Sequence, residues 1–248
     1  SGHCTPVELA QIGQYAENVF FGKPCGLMDQ TASSVGGVVA IDFADTAHPI
    51  VERLDVDLHT CGYALCILDS GAGHEDLTGE YSAITEELRA VCRVFGKEVL
   101  REVPEEAFLA ELPQVRKAAG DRAVNRAFHV YGENRRVREE VQALRSGDFQ
   151  RFLALVRESG RSSAMYLQNI IPTGSTAAQE LMVTIALCER MLEGRGAVRV
   201  HGGGFGGTAQ AFVPLDMLDG FRDRVKASLG RGCCHVVRIR PAGGIRLG

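Results

Sequence analysis

One carboxylate stands in the middle of an otherwise uncharged run, Cys25-Gly26-Leu27-Met28-Asp29-Gln30. Gly22, Pro24 and Gly26 precede it, and the small-residue stretch Thr31-Ala32-Ser33-Ser34 follows. Glycine and proline here read as a loop that ends where a helix begins. Asp29 then falls in the first turn of that helix. The positive end of the helix dipole favours the ionised form there, whereas partial burial would raise its pKa. An aspartate held this way can accept a proton from a bound hydroxyl. It can equally do no more than stabilise a helix N-terminus, and the local pattern taken alone favours that plainer role. Glu17, twelve positions upstream, is by itself an ordinary helix-surface glutamate.

A second stretch, His201-Gly202-Gly203-Gly204-Phe205-Gly206-Gly207, formally contains G-x-G-x-x-G. A dinucleotide fingerprint needs a strand before it and a helix after it. The residues that follow, Thr208-Ala209-Gln210-Ala211-Phe212-Val213, read as a strand, so the Rossmann reading fails. Consecutive glycines between two strands still permit unusual backbone angles and close approach by another group. A tight structural connection and direct ligand contact are equally compatible with the pattern. Tyr81, after Gly79-Glu80, reads as a half-buried packing residue. His129 and His201 read as hydrogen-bonded structural histidines without a catalytic role. Ser159-Gly160-Arg161-Ser162-Ser163 could form a phosphate nest, but a helix end followed by a new N-cap explains it as well and is preferred.

The elements that must position these groups follow from periodicity. Apolar residues at Val7, Leu9, Ile12, Ala16 and Phe20 predict a helix over 5–20. Val38-Val39-Ala40-Ile41, between Gly36-Gly37 and Asp42, predicts a buried strand, with further strands at 50–54 and 63–68. Helices are predicted at 76–95, 121–145 and 148–159, the last capped by Asp148. Thr176 and Gln179 read as a capping box for the helix carrying Leu181, Ile185, Leu187 and Leu192. Strands at 197–201, 208–213 and 235–240 complete the sheet, with a helix at 216–229 between the last two. Strands separated by clusters of helices argue for an α+β fold over a regular βαβ repeat.

The 248 residues, 45% apolar and 23% charged, suffice for one sizeable core or two small ones. A net charge of −4 gives no basic footprint for nucleic acid. Arg135-Arg136-Val137-Arg138 precedes Glu139-Glu140, and the four-residue spacings predict a solvated, internally paired helix face. No signal peptide and no apolar run long enough to cross a bilayer is seen. The eight cysteines form no C-x-x-C pair. Cys61, Cys66 and Cys188 sit among apolar neighbours, which fits buried, reduced thiols and a cytoplasmic protein, with no ligand spacing for zinc.

Taken in order, Glu17-Asn18-Val19-Phe20-Phe21-Gly22, the Asp29 segment and the glycine run resemble the galactokinases of the GHMP small-molecule kinase family. The resemblance runs from Gln11 to Asp42. It continues through Gly71-Ala72-Gly73-His74-Glu75-Asp76-Leu77-Thr78-Gly79-Glu80-Tyr81 and Asn125-Arg126-Ala127-Phe128-His129-Val130-Tyr131-Gly132-Glu133-Asn134 to the glycine run, and so covers most of the chain. The Asp29 segment is a specific signal; the glycine run alone is not.

The resemblance implies a GHMP kinase-like two-domain α+β architecture. Residues 1–59 would be a remnant of the N-terminal domain carrying the catalytic aspartate, that domain being only partly present. Residues 60–248 would be the C-terminal domain, a ferredoxin-like α/β sandwich with extra helices. The activity it implies is Mg²⁺- and ATP-dependent phosphorylation of the anomeric C1 hydroxyl of galactose or a related hexose, with the sugar and ATP as small-molecule partners and neither nucleic acid nor membrane involved. Asp29 matches the catalytic base, and Gly26 and Tyr81 match sugar-binding positions. Glu17 matches a Mg²⁺ ligand, and Gly203, Gly204 and Gly206 lie in a motif lining the nucleotide-binding active site. After Tyr81 the family continues with arginines, but this chain has Ser82-Ala83-Ile84-Thr85-Glu86-Glu87. That leaves open another sugar, such as an N-acetylated hexosamine like N-acetylgalactosamine, and a non-catalytic sugar-sensing relative is a further alternative. The family's Arg-rich sugar segment and Ser-rich phosphate loop are not found, nor is a G-x-x-x-x-G-K-[ST] loop. The chain therefore reads as the C-terminal two-thirds of such a kinase. The full-length protein is expected to be monomeric, and the fragment to be inactive and to self-associate beside the 38–41 strand.

Overall fold

The computed structural model describes residues 4–22, 25–73, 77–230 and 232–245. Pro24 and His74, Glu75 and Asp76, which belong to the motif reading, lie outside the described residues. The chain forms two compact units, residues 1–57 with 238–248 and residues 58–237.

In the first unit, α1 (Pro6–Tyr15) begins with a capping box. Thr5 Oγ1 accepts from the Glu8 amide at 3.2 Å, and Glu8 Oε2 accepts from the Thr5 amide at 2.7 Å. Proline at the first helical position needs no amide partner. The predicted 5–20 helix does not run through as one coil, because residues Ala16–Phe20 form a wider π-type turn. Helix α2 (Met28–Val35) stops at Gly36, whose φ of 71° an L-residue with a side chain rarely adopts. Strands β1 (Val38–Asp42) and β2 (Ile50–Leu54) pair antiparallel, Val38 opposite Leu54 and Asp42 opposite Ile50. The β1 residues are half-buried, unlike the fully buried strand expected from their apolar run. The C-terminal segment returns to this unit. The Gly37 amide donates to the Arg240 carbonyl at 2.8 Å, and the Gly244 amide to Ser34 at 3.1 Å.

The second unit begins with β3 (Tyr63–Asp69), which leads into α3 (Thr78–Val94), α4 (Glu105–Ala110), α5 (Leu112–Ala119), α6 (Asp121–Arg145), α7 (Phe149–Ser162) and α8 (Glu180–Leu192). The hairpin β4 (Ala197–Val200) and β5 (Thr208–Pro214) follows, then α9 (Leu218–Leu229) and β6 (Cys234–Val237). The sheet order is β4-β5-β3-β6, every neighbouring pair antiparallel. A strand, a helical crossover, a hairpin, a second helix and a closing edge strand in this order make the ferredoxin-like βαββαβ arrangement. The period of two on β5 explains how the sheet is covered. Ala209, Ala211 and Val213 face one core with α8 and α9, through Leu181, Cys188, Leu192, Phe221 and Val225. Phe212 points the other way, into a smaller core with Ala197 and the α7 residues Phe149, Leu153 and Val156. A third core, around Phe108, Val115 and Val124, joins α3 to α6.

Helix α6 spans the predicted range and Asp148 caps α7, its Oδ1 accepting from the Arg151 amide at 2.9 Å. Helices α4 and α5 have no counterpart in the sequence reading. They are short and each is opened by a proline, Pro104 or Pro113. The Thr176–Gln179 capping box does not form. Helix α8 starts at Glu180, and Gln179 turns its side-chain amide back to the Ser175 carbonyl at 3.2 Å. Neither a nest nor a new N-cap forms at 159–163, because α7 continues through Ser162 into a π-type turn, Ser163–Leu167. None of the eight cysteines is joined in a disulfide. Cys66, Cys92, Cys188 and Cys233 are buried, but Cys61 is exposed, lying in the turn before β3. Among the described residues no helix is long and apolar enough to cross a membrane.

The 135–140 segment is not an internally paired, solvated face. Arg135 pairs with Glu105 and Glu139 with Arg151 at 2.5 Å, both on other elements. Arg136 pairs with Glu133 at 2.8 Å in a largely buried site. Burial, with the Glu133 carboxylate beside it, pushes the Glu140 carboxyl up to about 7, although Arg199 and Arg136 pull the other way. A carboxyl whose folded pKa is raised stabilises the fold fully below its unfolded pKa, and that contribution is lost as pH rises through about 7. Glu140→Gln is therefore expected to raise stability at pH 8 by on the order of 1–3 kcal/mol, and to change it little at pH 5. Urea midpoints of both proteins at the two pH values check this; a variant no more stable at pH 8 contradicts it.

Candidate active site

The sequence-predicted residues fall into two groups, one in each unit. In the first unit the loop between the π-type turn and α2 is tied to that turn and to α1 by amide side chains. Asn18 Oδ1 accepts from the Cys25 amide at 2.8 Å, and its Nδ2 reaches the Cys25 carbonyl at 3.4 Å. Gln14 Nε2 donates to the same carbonyl at 3.1 Å. These bonds set where the chain enters α2. Asp29 lies in the first turn of α2, as the Gly/Pro punctuation predicts. It is exposed, not partly buried. No side chain caps the helix, because the N-cap residue is Leu27. Glu17 lies in the π-type turn, half-buried, and its Oε1 accepts from Gln30 Nε2 at 3.3 Å. Gln30 sits next to Asp29 in the chain, so the two acidic residues are linked through it. Gly26 is exposed, its φ is not positive, and a Cβ built there would meet no atom within 4 Å. Among the described residues none requires glycine at that position.

In the second unit the glycine run is the turn joining β4 to β5, which rules out the Rossmann arrangement from the structure as well. Gly202, Gly204, Phe205 and Gly207 all have positive φ, 74°, 87°, 60° and 69°. The Tyr81 hydroxyl donates to the Gly204 carbonyl at 2.9 Å, and its ring meets Phe205 edge-on at 5.7 Å. Burial raises the Tyr81 pKa, which keeps this donor protonated. A side chain at Gly203 would strike the Tyr81 ring; one at Gly204 would strike the Asn169 carbonyl. Gly204, Phe205, Gly206 and Gly207 are buried, while Gly202 and Gly203 are exposed. Internal packing thus accounts for Gly203, Gly204 and Gly206, and the exposed backbone of the run is at 202–203. Ser70, just beyond β3, braces the far end: its amide and hydroxyl both donate to the Gly207 carbonyl, at 2.9 and 2.6 Å.

Behind Tyr81 lies an ion-pair network. Glu87 accepts from Arg122 at 2.5 Å and from Arg126 at 2.9 Å. Glu87 belongs to the stretch that follows Tyr81, and this network gives it a structural task. His129 is buried, its Nδ1 2.9 Å from Ser162 Oγ, and burial lowers its pKa, as suits a neutral structural imidazole. His201 Nδ1 lies 3.0 Å from Thr208 Oγ1. Asn18, Gln30 and Asn169 were missed as positioning residues. Asn18 and Gln30 stand inside quoted motifs, and Asn169 is a polar residue just before Ile170-Ile171. Among the described residues no cluster of three or more His, Cys, Asp or Glu could hold a metal.

No family model matches the chain. Comparison with curated proteins finds a galactokinase of Glaesserella parasuis, 34% identical over 218 residues, 87% of this chain and 53% of that protein. A galactokinase of Thermotoga neapolitana is 34% identical over 235 residues, 92% of this chain and 62% of that protein. The chain spans about half the length of the curated relatives it matches. Among solved structures, Lactococcus lactis galactokinase complexed with galactose superposes with a TM-score of 0.74 at 23% identity, over 99% of this chain and 62% of that one. Mevalonate kinase of L. major in complex with R-mevalonate gives 0.60 at 15% identity, over 98% of this chain and 60% of that one. The resemblance first carried by the Asp29 segment and the glycine run therefore holds across the chain, which is a homologue of the galactokinases with the fold of that enzyme and of mevalonate kinase.

Proposed function

We propose that the whole protein to which this chain belongs is a galactokinase-like sugar kinase that transfers the γ-phosphoryl group of ATP to the C1 hydroxyl of galactose or a related hexose. The observation that carries the reading is the exposed carboxylate of Asp29 in the first turn of α2, on a loop fixed from behind by Asn18 and Gln14. In this reading Asp29 accepts or orients the C1 hydroxyl proton as that oxygen attacks the γ-phosphorus, the P–O bond to ADP breaks, and ADP leaves. Phosphoryl transfer depends mainly on positioning and charge stabilisation. A loop fixed by side-chain amides suits the first of these.

Glu17 offers a hard carboxylate oxygen of the type Mg²⁺ prefers, and Mg²⁺ needs only one or two protein groups beside substrate phosphates. A lone half-buried glutamate therefore fits the metal without a ligand cluster. When bound, the ion would neutralise charge on the phosphates; the part played by this chain is to hold the Glu17 oxygen through Gln30. Gly26 is the sugar-site candidate of this loop, and among the described residues no atom lies where its side chain would be. Within the second unit, Tyr81 is the sugar-binding candidate and Gly203, Gly204 and Gly206 are the nucleotide-binding candidates, with Gly204 and Gly206 shaping the turn. The replacement of the family's arginines after Tyr81 favours a second reading in sugar identity, a kinase acting on another hexose such as an N-acetylated one.

In the full-length chain, Asp29→Asn is expected to lower kcat by about 10²–10⁴-fold while sugar binding stays measurable by calorimetry. Near-native kcat would remove Asp29 from the role of base. Glu17→Gln should raise the Mg²⁺ concentration for half-maximal rate more than it raises the KM for sugar, and an unchanged magnesium titration would reject it as a ligand. Gly26→Ala should leave the melting temperature unchanged and raise the KM for sugar about tenfold or more, equivalent to about 1.4 kcal/mol. A variant with native KM would show that no ligand approaches that backbone.

A further inference from the structure

The turn at 202–207 is held by a segment that none of the motifs includes. Between the π-type turn at Ser163–Leu167 and α8, the chain passes beneath the glycine run, and Asn169 meets it at two points. Asn169 Nδ2 donates to the Gly203 carbonyl at 3.1 Å. The Asn169 main-chain carbonyl accepts from the Phe205 amide at 2.6 Å. Asn169 is 3% exposed, and its Oδ1 has no hydrogen-bond partner among the described residues. Rotating the amide would not resolve that, because it would turn an acceptor toward the Gly203 carbonyl. The side chain is therefore oriented by the donor it supplies, even with its acceptor unused.

Asn169 is itself placed from below. Gln168, just before it, is left-handed with φ 57°. Arg126, fully buried, donates through Nε to the Leu167 carbonyl at 3.1 Å and through Nη1 to Glu87 at 2.9 Å. Four residues beyond Asn169, Glu80 accepts from the Thr173 amide at 2.6 Å. The segment is thus anchored on both sides of Asn169 by charged groups of α3 and α6. Glu80 is the neighbour of Tyr81, which holds the Gly204 carbonyl.

We infer that Asn169 is a positioning residue that clamps the glycine turn, and that the buried Arg126–Glu87 pair sets the place from which it does so. The clamp rests on this geometry. Only its consequence for phosphoryl transfer rests on the sugar-kinase reading, in which the exposed backbone at 202–203 must keep one shape.

The test is hydrogen–deuterium exchange over residues 201–207 in the full-length protein and its variants. Asn169→Ala should speed exchange of the turn about tenfold, with β4 and β5 exchanging as before. Asn169→Asp, which keeps the size but loses the donor, should speed it at least as much. Arg126→Lys, which keeps the charge facing Glu87 but loses the Nε donor to Leu167, should loosen both 167–173 and the turn. Native exchange of the turn in the Ala or the Asp variant would overturn the clamp. Steady-state kinetics on Asn169→Ala separate the two readings. Faster exchange with a lowered kcat supports both, whereas faster exchange with unchanged kcat and KM for ATP and sugar supports the clamp and removes the turn from the reacting site.

Discussion

A turn in which four of six residues carry positive φ cannot hold itself. Gly202, Gly204, Phe205 and Gly207 leave the backbone with no internal ladder, yet the run from Gly204 to Gly207 is buried. Buried peptide groups without partners are costly, so the partners must come from elsewhere in the unit. They come from three directions: Tyr81 on α3 to the Gly204 carbonyl, Asn169 to Gly203 and Phe205, and Ser70 beyond β3 to Gly207. The single residue in the turn with a large side chain, Phe205, takes a conformation disfavoured for residues other than glycine. It is 3% exposed and meets the Tyr81 ring edge-on, so ring burial offsets the backbone strain. The second unit is organised around this requirement: β3 ends, and α3 and the segment before α8 begin, where the turn needs a donor or an acceptor.

The ion pairs of α3 and α6 follow from the same need. A fully buried guanidinium is unfavourable unless its charge and its donors are met. Arg126 meets Glu87 and the Leu167 carbonyl, and Arg122 shares the same carboxylate. Burial lowers the Arg126 pKa and the Glu87 carboxylate opposes that. The network adds little that a well-packed apolar core could not supply in stability. What it supplies is a fixed direction for the Leu167 carbonyl, and therefore for the residue two positions later.

Sequence reasoning succeeded where a local pattern is sufficient cause. Helix α6 has the predicted bounds because twenty-five residues without proline leave no local alternative. Asp148 caps α7 because the bond it makes, to Arg151, spans three residues. Strands β4 and β5 were legible from alternation, and with them the failure of the Rossmann reading. The same reasoning failed where a polar side chain had a choice of partners. Arg135 and Glu139 have helix-compatible spacing but bond to Glu105 and Arg151, because tertiary neighbours offer more than an exposed pair worth a few tenths of a kcal/mol. Thr176 and Gln179 satisfy the capping-box spacing, yet the helix begins later and Gln179 serves Ser175 instead. Asn169 was invisible for a related reason: its partners lie more than thirty residues away, and nothing in its neighbours announces them.

Composition also cannot say why a glycine is a glycine, and here the structure separates two causes. At Gly204 the residue sits in left-handed backbone against the Asn169 carbonyl, so the fold itself excludes a side chain. At Gly26 the backbone is ordinary, and among the described residues no atom lies within 4 Å of where a Cβ would be. Yet Gly26 follows Cys25, whose amide and carbonyl are held by Asn18 and Gln14 with a care that an unconstrained surface loop does not need. Among the described residues, packing does not explain the missing side chain at so firmly fixed a position. Three residues later the chain presents an exposed carboxylate in the first turn of α2. The exposed carboxylate and the open backbone beside it are thus set by the same few amide contacts. That shared support is the physical reason to read Gly26 and Asp29 together and not as a loop glycine and a helix-stabilising aspartate.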